Sequence, residues 1–117
     1  MKHNFKNLKI WTLSMEITFD IHSICLEFPK FENYGLASQM NRAAVSIPSN
    51  IAEGSNRGDH HFVHFLNISL GSSFELQTQL LIANQKKYLT EEKTIEIENK
   101  IIELQKMISG LITKLSS

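Results

Sequence analysis

Six apolar residues, Ile97, Ile101, Leu104, Ile108, Leu111 and Leu115, alternate spacings of four and three. This is the a/d pattern of left-handed helix packing, which keeps one stripe of a helix in register with its neighbours. A stripe of this kind must be covered, so it requires further helices. Thr90 precedes the segment as a predicted N-cap, and Glu91 and Glu92 suit the positive end of its dipole. Lys106 and Lys114 suit its C-terminal half, while Gly110 weakens it locally.

Three more helical patterns lie upstream. Leu8 to Phe28 carries two apolar stripes, one of Leu8, Trp11, Met15, His22 and Cys25, the other of Ile10, Ile17, Ile21, Ile24 and Phe28. Pro29 stops it. A second helix begins near Gly35 or Leu36, buries Leu36, Met40, Ala43, Ala44, Ile47 and Ile51, and ends at Gly54. Pro48 lies inside it and predicts a kink or short break, because proline removes a backbone donor and crowds the carbonyl of Ala44. Asp59 is the expected N-cap of a third helix built on Phe62, Phe65, Leu66, Phe74, Leu80, Leu81 and Tyr88. Gly71, Ser72 and Ser73 interrupt it, at about 1 kcal/mol for the glycine relative to alanine, and would let a neighbouring helix approach closely.

Four long helices with short connections predict an all-α, antiparallel up-down-up-down four-helix bundle, a single domain over residues 1–117. A chain of 117 residues buries roughly 65% of its extended surface and needs no staple. With 5 Gly and 2 Pro it lacks the punctuation of a many-stranded fold. The second stripe of the first helix and the flanking Ile95, Ile102 and Ile112 of the last exceed what a bundle seam needs. That surplus predicts self-association.

Twelve Lys and Arg balance twelve Asp and Glu, so phosphate backbones and anionic lipid exert no long-range pull on the whole molecule. Nucleic-acid binding would need a local patch. The single cysteine, Cys25, sits at helical spacing among apolar residues and reads as a core thiol in a reducing compartment. The opening MKHNFKNLKIW is too polar for a secretory segment, and no apolar run approaches the ~20 residues of a membrane span. A cytoplasmic location without a membrane partner is the expectation.

The second helix also carries a polar series. Gln39, Arg42, Ser46, Asn50 and Glu53 fall within a band of roughly 80° beside its apolar stripe, and Arg57 follows in the turn. Two readings stand. In one the face recognises a partner, Arg42 pairing an anion and Gln39 and Asn50 supplying amides. In the other it is a hydrogen-bonded network with Ser69, Ser72 and Glu75 that fixes helix register or a subunit contact.

His60 and His64 share a face at the spacing of metal-binding helices, beside His61, but no HExxH motif is present and Asp59 is the only nearby carboxylate. No metal or cofactor is expected. Glu53 and Glu75 could pair as carboxylates, yet the Glu-x-x-His motifs of a helical di-metal site are missing, as are a phosphate loop and a nucleophile elbow. The expectation is therefore no enzyme. Trp11 and Tyr34 could stack on bases, but packing is the favoured reading of both.

The run Ser46 to Gly54, SIPSNIAEG, follows Gln39, Arg42, Ala43 and Ala44 and precedes Phe62, Phe65, Leu66, Gly71, Ser72, Glu75, Leu76 and Gln79. With the Leu8 to Trp11 segment and the Phe28, Pro29 stop, this closely resembles the bacterial four-helix bundle proteins encoded in intervening sequences of 23S ribosomal RNA genes. The resemblance implies homopentamers, similar to the accessory variability determinant of diversity-generating retroelements, a basic pentameric barrel that binds nucleic acid and a reverse transcriptase. The family name records genomic location, and its biochemical role is unassigned. Asn41 stands where a second arginine is common, His64 and Leu70 occupy positions often basic, and the turn retains only Arg57. These departures weaken phosphate binding, which scales with the cations engaged.

The resulting expectation is a non-enzymatic homo-oligomeric scaffold, pentameric by resemblance, that contacts nucleic acid or a protein. The alternative is an RNA- or DNA-binding module with a basic patch around Arg42 and Arg57, extended by Lys86 and Lys87.

Overall fold

The computed structural model describes residues 4–117. A 3-10 turn at Phe5–Asn7 leads into α1 (Lys9–Cys25), a second at Lys30–Glu32 into α2 (Leu36–Ser55), and α3 (Asp59–Gln85) and α4 (Glu91–Ser116) follow. Each helix packs on its neighbour in sequence, and α4 closes back on α1, in a body of 45 × 24 × 20 Å. The cross-links run antiparallel. Ser46 meets Ser72 while Gly54 meets Phe65, and Gln77 meets Glu98 while Asn84 meets Thr94. This is the up-down bundle that the four periodic segments predict.

The core takes one stripe from each helix: Ile17 and Ile21 of α1, Met40, Ile47 and Ile51 of α2, Phe62, Leu66, Leu76 and Leu80 of α3, and Ile97, Ile101 and Leu104 of α4. Cys25 is buried as expected, its Sγ 3.9 Å from the Ala37 carbonyl. Burial pushes its thiol up to about 11, against a smaller opposing effect of Asn41, so little reactive thiolate forms near neutral pH.

Several expected core positions fall elsewhere. Phe74 is 52% and Leu81 44% exposed, because α3 is apolar around much of its circumference and its inward face runs instead through Leu66, Ser69, Ser73, Leu76 and Leu80. His22 is exposed, and Leu111 and Leu115 are half-buried where they pack against the edge of the core. Gly71 faces open space, with no atom within 4 Å of where a Cβ would sit, whereas Ser72 and Ser73 face the bundle.

Helix termini follow local chemistry. The Thr90 hydroxyl accepts the Lys93 N–H at 3.1 Å, the predicted cap. Gly58, not Asp59, is the N-cap of α3, and Asp59 occupies the first turn, where its charge suits the dipole. At the end of α3, Lys87 takes a left-handed φ of 64°, with its N–H on the Asn84 carbonyl and the Tyr88 N–H on the Ala83 carbonyl. That is a Schellman closure with lysine where glycine is usual.

No break occurs at Pro48. The α2 helix runs through it, and hydroxyls from both neighbouring helices reach the carbonyls around it. The Thr18 hydroxyl lies 3.2 Å from the Ala44 carbonyl, which Pro48 deprives of its amide donor, and the Ser69 hydroxyl donates to the Ile47 carbonyl at 2.9 Å. Gly54 lies within the last turn of α2, buried beneath the first turns of α3. Its absent side chain is the point, since a Cβ there would sit 2.6 Å from Phe65 Cβ and 3.0 Å from Phe62.

Candidate functional site: a polar cleft between the second and third helices

Ser46 and Ser72 face each other where α2 and α3 cross, their hydroxyl oxygens 2.9 Å apart. The Asn50 side chain turns back along α2 and donates to the Ser46 carbonyl at 2.8 Å and to its hydroxyl at 3.1 Å. Just beyond this pair Gln39, Arg42 and Glu75 open outward. Together with Ala43, Ser46 and Ser72 they line a cleft of about 340 Å³.

The six polar positions of the α2 region therefore separate into three settings. Ser46 and Asn50 belong to a hydrogen-bonded crossing, Gln39 and Arg42 stand at the cleft, and Glu53 pairs with Arg57 one turn apart at 2.5 Å. The Arg57 guanidinium also lies over the Phe65 ring, 5.1 Å from its centroid. Arg42 makes no ion pair or hydrogen bond among the described residues, although Glu75 lines the same cleft. Arg42 and Arg57 thus stand in different settings, one at the cleft and one in the turn after α2.

Glu53 and Glu75 line separate openings and do not form a carboxylate pair. His60, His61 and His64 lie on the outer side of the first turns of α3, and among the described residues no group of three or more His, Cys, Asp or Glu side chains is placed to hold a metal ion. Trp11 packs edge-on to Phe5 at 5.3 Å, as a packing role requires. Tyr34 does not pack in this chain; it is 99% exposed.

Other polar links are invisible to local periodicity. Buried Glu32 accepts the Leu36 N–H at 3.0 Å, capping α2, and the Tyr88 hydroxyl at 2.8 Å, tying two loops together. These two bonds, with a smaller contribution from Lys86, hold its carboxyl below the usual range. Lys100 of α4 bridges Asp20 and Glu16 of α1, both at 2.7 Å, which raises its ammonium pKa. Gln77 donates to Glu98 at 2.9 Å and accepts from Gln105 at 2.8 Å. Apart from the Glu32 cap on Leu36, all of them join residues whose pairing is set by the fold rather than by local spacing.

Fold and cleft together define an all-α four-helix bundle with a polar groove between its second and third helices. The chain belongs to the 23S rRNA-intervening sequence protein family, whose model matches residues 6–110. It is also similar to the crystal structure of a protein with unknown function from the S23 ribosomal protein family of Bacteroides thetaiotaomicron VPI-5482. That similarity has a TM-score of 0.81 at 24% identity, covers 89% of this chain and 95% of the other, and shows the shared fold. No match was found among curated proteins. Among the described residues no helix is long and apolar enough to cross a membrane.

Proposed function

We propose that the protein is a non-enzymatic, homo-oligomeric helical scaffold that presents its polar α2 face to a macromolecular partner. One observation carries the reading. Phe74 and Leu81 stand three residues before and four after Gln77, and Ile95 and Ile102 stand likewise around Glu98, the residue to which Gln77 donates. Helical spacing therefore gathers all four on the outer α3–α4 face, where Phe74, Leu81 and Ile95 are each about half exposed. An apolar patch around a single polar bridge fits a second copy of the chain better than water. Gly71, exposed in mid-helix at about 1 kcal/mol relative to alanine, fits close approach by another helix.

Resemblance to pentameric bundles supports five copies. The nucleic-acid alternative has less support, since Arg57 is paired with Glu53 and Arg42 shares its cleft with Glu75. Light scattering coupled to size exclusion at micromolar concentration tests the scaffold reading. A multimer that Phe74→Glu and Leu81→Glu dissociate while helicity is kept supports it, and a monomeric parent overturns it.

A further inference from the structure

The cleft itself points beyond assembly. Several opposite charges in this protein pair directly: Arg57 with Glu53, Lys93 with Glu96, and Lys100 with Asp20 and Glu16. Arg42 and Glu75 do not. They line one cleft from facing helices and make no ion pair with each other. An exposed guanidinium and an exposed carboxylate that line one cleft of about 340 Å³ without pairing leave room for a small molecule that meets both.

The cleft floor has its own direction. Asn50 donates to the Ser46 hydroxyl oxygen, and that oxygen lies 2.9 Å from Ser72 Oγ. Either hydroxyl can donate across this contact, and when Ser46 donates to Ser72 the Ser72 proton is free to point into the cleft. Each bond in such a chain polarises the next. Arg42, the Ser72 hydroxyl and the Gln39 amide then form the donor side of the cleft, and Glu75 is its acceptor.

We propose that this cleft binds a small zwitterion of the α-amino acid class, its carboxylate on Arg42 and Ser72 and its ammonium on Glu75. A simple anion would be opposed by Glu75 and a simple amine by Arg42. A peptide separates its two termini along the chain, so a free amino acid, with both groups on one short skeleton, meets both poles. All of these groups come from a single chain, so binding does not depend on assembly.

The test is a titration of the full-length protein, followed by amide chemical shifts, with L-alanine and L-glutamate as zwitterions and propionate and propylamine as single-charge controls. Saturable shifts centred on Ala43 and Ser72 are expected for a zwitterion, with at least about tenfold weaker binding of either control. Arg42→Gln and Glu75→Gln should each weaken binding about tenfold or more without moving the melting temperature, and Ser72→Ala by a few-fold. No saturation at about 10 mM, equal binding of propionate alone, or shifts that persist in the Arg42→Gln, Glu75→Gln double variant would each overturn the proposal. Light scattering on the same variants reads assembly separately.

Discussion

The Thr18 hydroxyl reaches across from α1 to the Ala44 carbonyl of α2, at 3.2 Å, where Pro48 has removed the amide that would otherwise bond it. Its one proton is shared with the nearer Ser14 carbonyl at 2.7 Å, so its contribution is modest. Thr18→Val should destabilise the fold by about 0.5–1 kcal/mol. In a Pro48→Ala background, where a restored backbone amide can bond the Ala44 carbonyl from within α2, the same change should cost clearly less. A double-mutant cycle in urea that shows no coupling would separate the two residues.

Gly54→Ala should be among the most damaging single-methyl additions in the protein. The new Cβ would meet Phe65 Cβ at 2.6 Å, an atom fixed to the α3 backbone that cannot swing aside. Separating the helices to make room is expected to cost about 2–3 kcal/mol. Thermal or urea denaturation measures it, and an alanine variant as stable as the parent would mean that α3 shifts freely on α2.

Lys87→Gly should stabilise. Lysine at φ 64° carries the left-handed penalty that glycine escapes, and the two closing hydrogen bonds use only backbone atoms. A gain of about 1 kcal/mol in denaturant unfolding is expected.

Glu32 and Tyr88 give the fold two pH edges, one in acid and one in alkali. The Glu32 pKa is lowered by the Leu36 N–H first and the Tyr88 hydroxyl second, so its contribution is present above the unfolded value of about 4.3 and fades as pH falls through the lowered folded one. The Tyr88 phenol is raised by the same bond, so its share is present below about pH 10 and is lost as pH rises through the raised value. Melting temperatures of Glu32→Gln should lie below the parent at neutral pH and converge on it in acid. Tyr88→Phe should converge with the parent in alkali.

What local pattern encodes was legible in the chain itself. The four-three alternation of Ile97, Ile101, Leu104 and Ile108 marks residues that are all buried, and Thr90 caps where it should. Periodicity failed on α3, because Phe74 and Leu81 satisfy a helical spacing as well as Leu76 does, and only the placement of α2 and α4 decides which side turns inward. Pro48 read as a break because its neighbours' hydroxyls belong to helices 26 and 22 residues away. Gly54 read as a stop because nothing local distinguishes a terminator from a contact point. At the cleft, helical spacing grouped Gln39, Arg42 and Ser46, while their separation from Glu53 and Arg57 depended on which residues α3 placed opposite them.

The closing of α4 onto α1 has a consequence for how the molecule is made. Lys100 meets Asp20 across 80 residues, and Ile97, Ile101 and Leu104 are buried only once α4 is in place. A ribosome adding roughly 5–20 residues each second therefore holds a three-helix precursor, with its fourth wall missing, for seconds before the last helix emerges. That interval is when the nascent chain is most exposed to chaperones, proteases and neighbouring copies of itself.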